Sequence, residues 1–281
     1  MTEPAPPLPP SFFDAYTPDQ IALRVEKFGI LKADLPARPL LALAFLAGAF
    51  IALGAMFFTL AVTESDLGFG PTRVLGGFAF SLGLVLVLVG GAELFTGNVL
   101  MVMGWAAGRV TTRALLRNWG LVYVGNLAGA VAMAVLAHAA GLFALDSGDV
   151  GATARALAEA KAALPFETAF WKGVLCNTLV CLAVWLCFAA HSVVDKIFAI
   201  VFPISAFVAL GFEHSIANMY FIPAGAFAGG LEAGAIRGLI ANLVPVTLGN
   251  IVGGGVFVAA TYYVIYLRGR KRGGRDKGTE R

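Results

Sequence analysis

Within Leu210–Pro223, which reads LGFEHSIANMYFIP, Glu213 and His214 stand side by side in an otherwise apolar run, and Asn218 follows. Ionisable groups in such a run are costly and usually functional. A histidine there can donate, accept or titrate near working pH, since its unperturbed pKa is about 6.5. Hydrolysis is a poor fit. His214 and Ser215 are neighbours, and adjacent side chains on a helix point about 100° apart. The chain has no G-x-S-x-G elbow, no HExxH or CxxC metal spacing and no phosphate-binding glycine loop. No enzyme activity, metal or cofactor is expected. Cys176, Cys181 and Cys187 share one apolar stretch and read as packing residues.

The elements that carry this pair are membrane spans. The chain has 281 residues, of which 59% are hydrophobic and 13% charged; soluble domains carry about 25% charged residues. Six long apolar stretches are present, near Leu40–Val62, Val74–Ala107, Trp119–Leu142, Phe166–His191, Ile197–Phe227 and Leu243–Leu267. Each is near or above the roughly 20 residues that a bilayer requires. The fold expected is an all-α polytopic membrane protein with six transmembrane helices. Fifteen Lys and Arg fall in the terminal segments, at Arg109–Arg117 and at Lys196; only Arg73, Arg155, Lys161 and Arg237 fall in the opposite loops. That asymmetry puts both termini in the cytoplasm, and the basic tail is a topology signal rather than a nucleic-acid site.

The division expected is a Pro-rich disordered tail at 1–16, an amphipathic interfacial helix at 17–38, a channel domain at 39–267 and a basic tail at 268–281. No cleavable signal peptide is visible at the N-terminus. Thr17, Pro18 and Gln20 make a capping box, and Ile21, Val25, Phe28 and Leu31 fall on one face.

Two motifs recur in order. GAELFTGN (Gly91–Asn98) matches GFEHSIAN (Gly211–Asn218) at an offset of 120 residues, and VGNLAGAV (Val124–Val131) matches LGNIVGGG (Leu248–Gly255) at 124. Three spans per half make an inverted repeat, over about 39–142 and 166–267. Glycine and proline punctuate the second and fifth spans at these motifs, so both should break there and face an interior path. Glu93 and Glu213 are repeat partners, expected to bind backbone N–H groups of the breaks or to be protonated. Asn126 and Asn250 are expected to tie loop backbone to helix. Small residues in LAGAF, GNLAGAVAMA and GNIVGGG suit close helix packing and assembly.

LFTGNVL, KGVLCNTLVCLAVWL, GFEHSIANMYFIP and PVTLGNIVGGGVFVAATYYVIYL resemble the formate/nitrite transporter family. The resemblance implies an aquaporin-like fold with broken helices 2 and 5, a homopentamer in the bacterial inner membrane and one pore per protomer. It implies passage of small monovalent anions, formate first, with nitrite, hydrosulfide or another small monocarboxylate as alternatives. A water or neutral-solute pore fits less well, since the chain has no paired N-P-A loops. By the same resemblance His214 is the central pore histidine, Thr96 faces it, Asn177 is a pore asparagine and Lys172 a vestibule lysine. Some members place that lysine in the preceding loop. Phe80, Leu84, Phe95 and Phe207 correspond to constrictions. Passage is expected to be proton-linked, the proton coming from His214 or from bulk water.

Overall fold

The structure, a computed structural model, describes residues 16–229 and 234–269. The Pro-rich tail, Glu232 and the basic tail from Arg270 onward lie outside the described residues. Among the described residues every regular element is helical: α1 (Pro18–Ala33), α2 (Ala37–Val62), α3 (Phe69–Gly90), α4 (Phe95–Asn98), α5 (Val102–Ala106), α6 (Thr112–Ala139), α7 (Asp149–Ala162), α8 (Phe166–Cys187), α9 (Val193–Ala209), α10 (Ser215–Phe227) and α11 (Ala235–Val252). A single 3₁₀ turn, Val99–Met101, joins α4 to α5, and α11 continues as wider π turns over Gly253–Ala260.

Among the described residues five helices are long and apolar enough to cross a membrane: α2, α3, α6, α8 and α11 with its π extension. The apolar stretch Ile197–Phe227 is divided. Its halves have 17 and 13 residues, and at 1.5 Å per residue neither reaches the roughly 30 Å of a hydrocarbon core. The stretch Val74–Ala107 is divided too, but α3 alone, with 22 residues, is long enough. Both divisions fall at the repeated motif. Gly91 (φ 80°) and Gly211 (φ 72°) end α3 and α9 in the left-handed region, where only glycine sits without strain. Extended backbone follows, and a new helix starts at Phe95 or Ser215.

Glycines bring the outer helices together within one protomer. A Cβ on Gly48 would lie 2.0 Å from the Asn126 carbonyl oxygen, and one on Gly129 would lie 2.0 Å from that of Phe45, so α2 and α6 touch backbone to backbone. The second half repeats this. Cβ atoms on Gly249 and Gly253 would lie 2.2 and 2.1 Å from the carbonyl oxygens of Phe170 and Val174 on α8. The small-residue runs therefore pack helices closely inside the chain.

Helix α1 differs from expectation in its buried face. Ile21, Ala22, Val25, Gly29 and Lys32 are buried, while Phe28 and Leu31 are exposed. The helix leans on the 3₁₀ turn, where a Cβ on Gly29 would lie 3.3 Å from the Met101 Cα. A stripe centred on Gly29 thus docks on the protein, while Phe28 and Leu31 of the apolar face stay exposed. The Gln20 side chain accepts the Thr17 N–H at 3.0 Å, as a capping box requires.

Candidate functional site

Each break carries backbone groups that no helix satisfies, and one asparagine answers them in each half. Asn126 on α6 accepts the Phe95 N–H at 2.9 Å and donates to the carbonyls of Ala44 (2.7 Å) and Glu93 (2.9 Å). Asn250 on α11 accepts the Ser215 N–H at 2.9 Å and donates to Gly173 (2.8 Å) and Glu213 (3.0 Å). The glutamate N–H groups complete the set, Glu93 to Leu43 O at 3.2 Å and Glu213 to Lys172 O at 3.3 Å. Buried backbone groups have to be paired, and a side-chain amide offers both a donor and an acceptor.

The glutamates do something other than bind backbone N–H. Glu93 accepts from Lys32 of α1 at 2.5 Å and from the Asn98 amide at 2.7 Å. Asn98 also donates to Asn118, which donates to the Lys32 carbonyl. Glu213 accepts from Lys161 of α7 at 3.0 and 3.1 Å and from Asn218 at 2.6 Å. Asn218 also donates to Asn242, which donates to the Lys161 carbonyl. A buried carboxylate in apolar surroundings is stabilised by a cation far better than by neutral donors. Burial pushes the Lys32 ammonium below the ordinary lysine value, against the pull of Glu93. Sequence reading missed both lysines. They sit on elements flanking the repeated motifs, and each opens the same K-A-x-L-P run, KADLP (Lys32–Pro36) and KAALP (Lys161–Pro165), at an offset of 129 residues.

Between the breaks stands His214. It caps α10: its Nδ1 accepts the Ala217 N–H at 3.1 Å, and its Nε2 lies 2.9 Å from the Thr96 hydroxyl. A neutral imidazole whose Nδ1 accepts carries its proton on Nε2, so Nε2–H donates to Thr96 Oγ1. The Phe207 ring stacks on the imidazole with centroids 5.9 Å apart, and Phe80 meets Phe207 edge-on at 5.7 Å.

A cavity of about 200 Å³ opens on this side, lined by Lys161, Lys172, Phe80, Phe207, Glu213 and His214, among others. The Lys172 ammonium reaches this vestibule without a hydrogen-bond partner among the described residues. A smaller cavity of about 30 Å³, lined by Leu84, Leu94 and Gly97, lies beneath α1. Phe80, which lines the first cavity, and Leu84, which lines the second, are about one helical turn apart on α3. The Thr96–His214 pair stands between them.

Two expected site residues are placed elsewhere. Asn177 spends both N–H bonds on the main-chain carbonyls of Thr96 (3.2 Å) and Asn250 (2.7 Å), and it lines neither cavity. It braces α4 against α11. Phe95 also lines neither cavity. Its ring packs edge-on against Trp119 and Tyr123 of α6, at 5.9 and 5.0 Å. At the α1 end the apolar neck is made by Leu84 with Leu94. The two other histidines lie apart, His138 against the rings of Phe143 and Phe227 and His191 against Tyr16.

Residues 19–264 match the model of the formate/nitrite transporter family. The chain belongs to that family. It is 40% identical to the formate channel FocA of Escherichia coli K12, over 91% of this chain and 96% of the relative. It is 42% identical to a probable formate transporter of Methanothermobacter thermautotrophicus, over 85% of this chain and 92% of the relative. Among solved structures it resembles a pentameric formate channel with formate bound (TM-score 0.74, 41% identity, 83% of this chain and 98% of that one). It also resembles an FNT family ion channel (TM-score 0.80, 31% identity, 87% and 98%). The broken segments and their asparagine braces thus belong to a family of transporters.

Proposed function

We propose that the chain is a formate channel whose protomers assemble as a homopentamer, each with its own path. In this reading the apolar stretches make six crossings, α9 and α10 together forming the fifth. The observation that carries the reading is the Thr96–His214 hydrogen bond, placed between an aromatic constriction and an aliphatic one. The relatives named as formate channels support formate over nitrite, hydrosulfide or larger monocarboxylates.

An anion entering a dry constriction meets a penalty of order 20 kcal/mol in the idealised Born limit. The vestibule offsets this first, since the Lys172 ammonium raises the local anion concentration. The substrate then reaches Nε2–H of His214, a donor already pointed across the path toward Thr96. The sequence leaves the proton's source open between His214 and water. The capping bond favours water: an imidazolium would carry a proton on Nδ1, directly against the Ala217 N–H, at the positive end of α10. His214 therefore acts as a fixed donor, and a weak-acid substrate takes its proton in the wet vestibule before passing Phe80 and Phe207.

Flux of formate, nitrite, hydrosulfide, acetate and lactate into proteoliposomes tests the function, with osmotic swelling as the water control. Formate is expected to lead. Water passage without formate flux overturns the reading. In this reading both termini lie on the cytoplasmic side of a bacterial inner membrane. Arg113→Cys, an exposed position, is expected to resist an impermeant thiol reagent on intact cells; labelling from outside reverses the orientation.

A further inference from the structure

Arg73 is absorbed by none of the roles above. It sits in the second turn of α3, and its side chain crosses to the last turn of α9. There Nε donates to the Ala209 carbonyl and Nη2 to the Val208 carbonyl, both at 3.0 Å. Both are terminal carbonyls of α9; that of Val208 also accepts the Gly211 N–H at 3.0 Å, and a guanidinium there adds charged donors and favours the negative end of the helix. Gly211 makes room for it: a Cβ there would lie 2.7 Å from Nη2.

The residue gripped is adjacent to a constriction. Val208 follows Phe207, whose ring meets Phe80 edge-on. Arg73 and Phe80 are seven residues apart on one face of α3. Between them a Cβ on Gly77 would lie 2.5 Å from the Ser205 carbonyl, and the Ser81 and Ser205 hydroxyls are 3.5 Å apart. One face of α3 is therefore fastened to α9 from the vestibule rim to the aromatic pair. The other half has no such fastening. At the repeat offset Val193 takes the place of Arg73, and among the described residues no side chain donates to the Leu88 or Val89 carbonyl.

We propose that Arg73 is the positioning residue that fixes the aperture between Phe80 and Phe207 and so sets the size limit of the channel. It acts through α9, not by touching the substrate. The inference rests on the channel reading. If the wild-type protein carries no formate, that reading fails; if it carries formate and the size limit ignores Arg73, only this inference fails.

The test is the lactate-to-formate flux ratio in proteoliposomes, for Arg73→Met, Arg73→Gln and Arg73→Lys beside wild type, with assembly checked by native mass measurement. Arg73→Met keeps the aliphatic bulk and loses both donors. The ratio is expected to rise at least about fivefold, the factor that one net hydrogen bond corresponds to, since two are lost. Arg73→Lys and Arg73→Gln can each reach one carbonyl, and their ratios should fall between. A vestibule charge alone would lower formate flux in Met and Gln, spare Lys and leave every ratio unmoved, which overturns the proposal. General loosening of the fold lowers both fluxes together and overturns it equally. If Arg73→Met does not assemble, the Lys and Gln ratios decide: both above wild type sustain the proposal, both equal to it end it.

Discussion

At the break after α3, one asparagine, one glutamate and one lysine hold the backbone; at the break after α9 the same three residue types do the same work. Only the positions facing the path differ. The residue that starts α4 is preceded by Leu94, and the one that starts α10 by His214, 120 residues on. The carbonyl that receives the glutamate N–H belongs to Leu43 in one half and to Lys172 in the other. Thus the scaffold is duplicated while polarity is confined to one side. Among the described residues His214 and the cations Lys172 and Arg73 line the vestibule half, Arg73 bonded to backbone carbonyls, and leucines stand opposite. The pattern suits an anion that must be gathered at one mouth and docked once.

The sharpest way to break the contrast is to erase it. His214→Leu copies the other half, leaves Thr96 without its partner and makes the path apolar throughout. Formate flux in proteoliposomes should fall to background. His214→Asn separates docking from titration, because asparagine also caps helices well and cannot change charge. With water as the proton source, this variant should keep measurable flux and the wild-type pH dependence. Loss of the pH dependence would show instead that His214 handles the proton.

Next in size are the buried ion pairs. Lys161→Met leaves the Glu213 carboxylate buried without its cation, and Lys32→Met does the same to Glu93. Removing one partner of such a pair costs about 3–5 kcal/mol, whereas replacing both can be nearly neutral. Thermal unfolding in detergent should show each single variant strongly destabilised and each double variant, with Glu→Gln added, largely restored. The two halves should respond alike, since the networks match residue type for residue type. A large cost in only one half would mean that the duplication is geometric but not energetic.

The sequence exposed the breaks because the residues that make them must recur. Glycine in the left-handed region, the glutamate after it and the bracing asparagine cannot be exchanged for other types, so two copies stayed recognisable at offsets of 120 and 124 residues. Lys32 and Lys161 were legible too, since each opens a K-A-x-L-P run, KADLP at Lys32–Pro36 and KAALP at Lys161–Pro165, 129 residues apart. They escaped notice because a lysine at the end of an apolar stretch reads first as a topology signal. Asn177 and Phe95 were placed on the path by the family resemblance alone. Their direction is set by partners remote in sequence: the carbonyls of Thr96 and Asn250 for one, Trp119 and Tyr123 for the other.

That difference in direction gives a test at the level of selectivity. Phe207→Ala or Phe80→Ala opens the aromatic pair and should raise the lactate-to-formate flux ratio about tenfold, the order that a methylene-sized change in an apolar aperture commands. Phe95→Ala should leave the ratio unchanged and cost about 3 kcal/mol of stability, because its ring fills a gap against α6. A ratio shift in Phe95→Ala equal to that in Phe207→Ala would bring Phe95 back to the path.

The smallest expected effect belongs to Lys172, where the halves differ as leucine against lysine. Its main-chain carbonyl does the structural work by accepting the Glu213 N–H, and Leu43 does that equally well without a charge. The ammonium acts only at a distance. In water, a unit charge about 7 Å from an anion is worth about 0.6 kcal/mol, a factor of about three in local concentration. Lys172→Met should therefore lower formate flux about threefold in low-salt buffer. Screening reaches about 3 Å at 1 M salt, so variant and wild type should converge there. A loss that persists unchanged at high salt would make Lys172 part of the scaffold, and the polarity of the vestibule half would then rest on His214 alone.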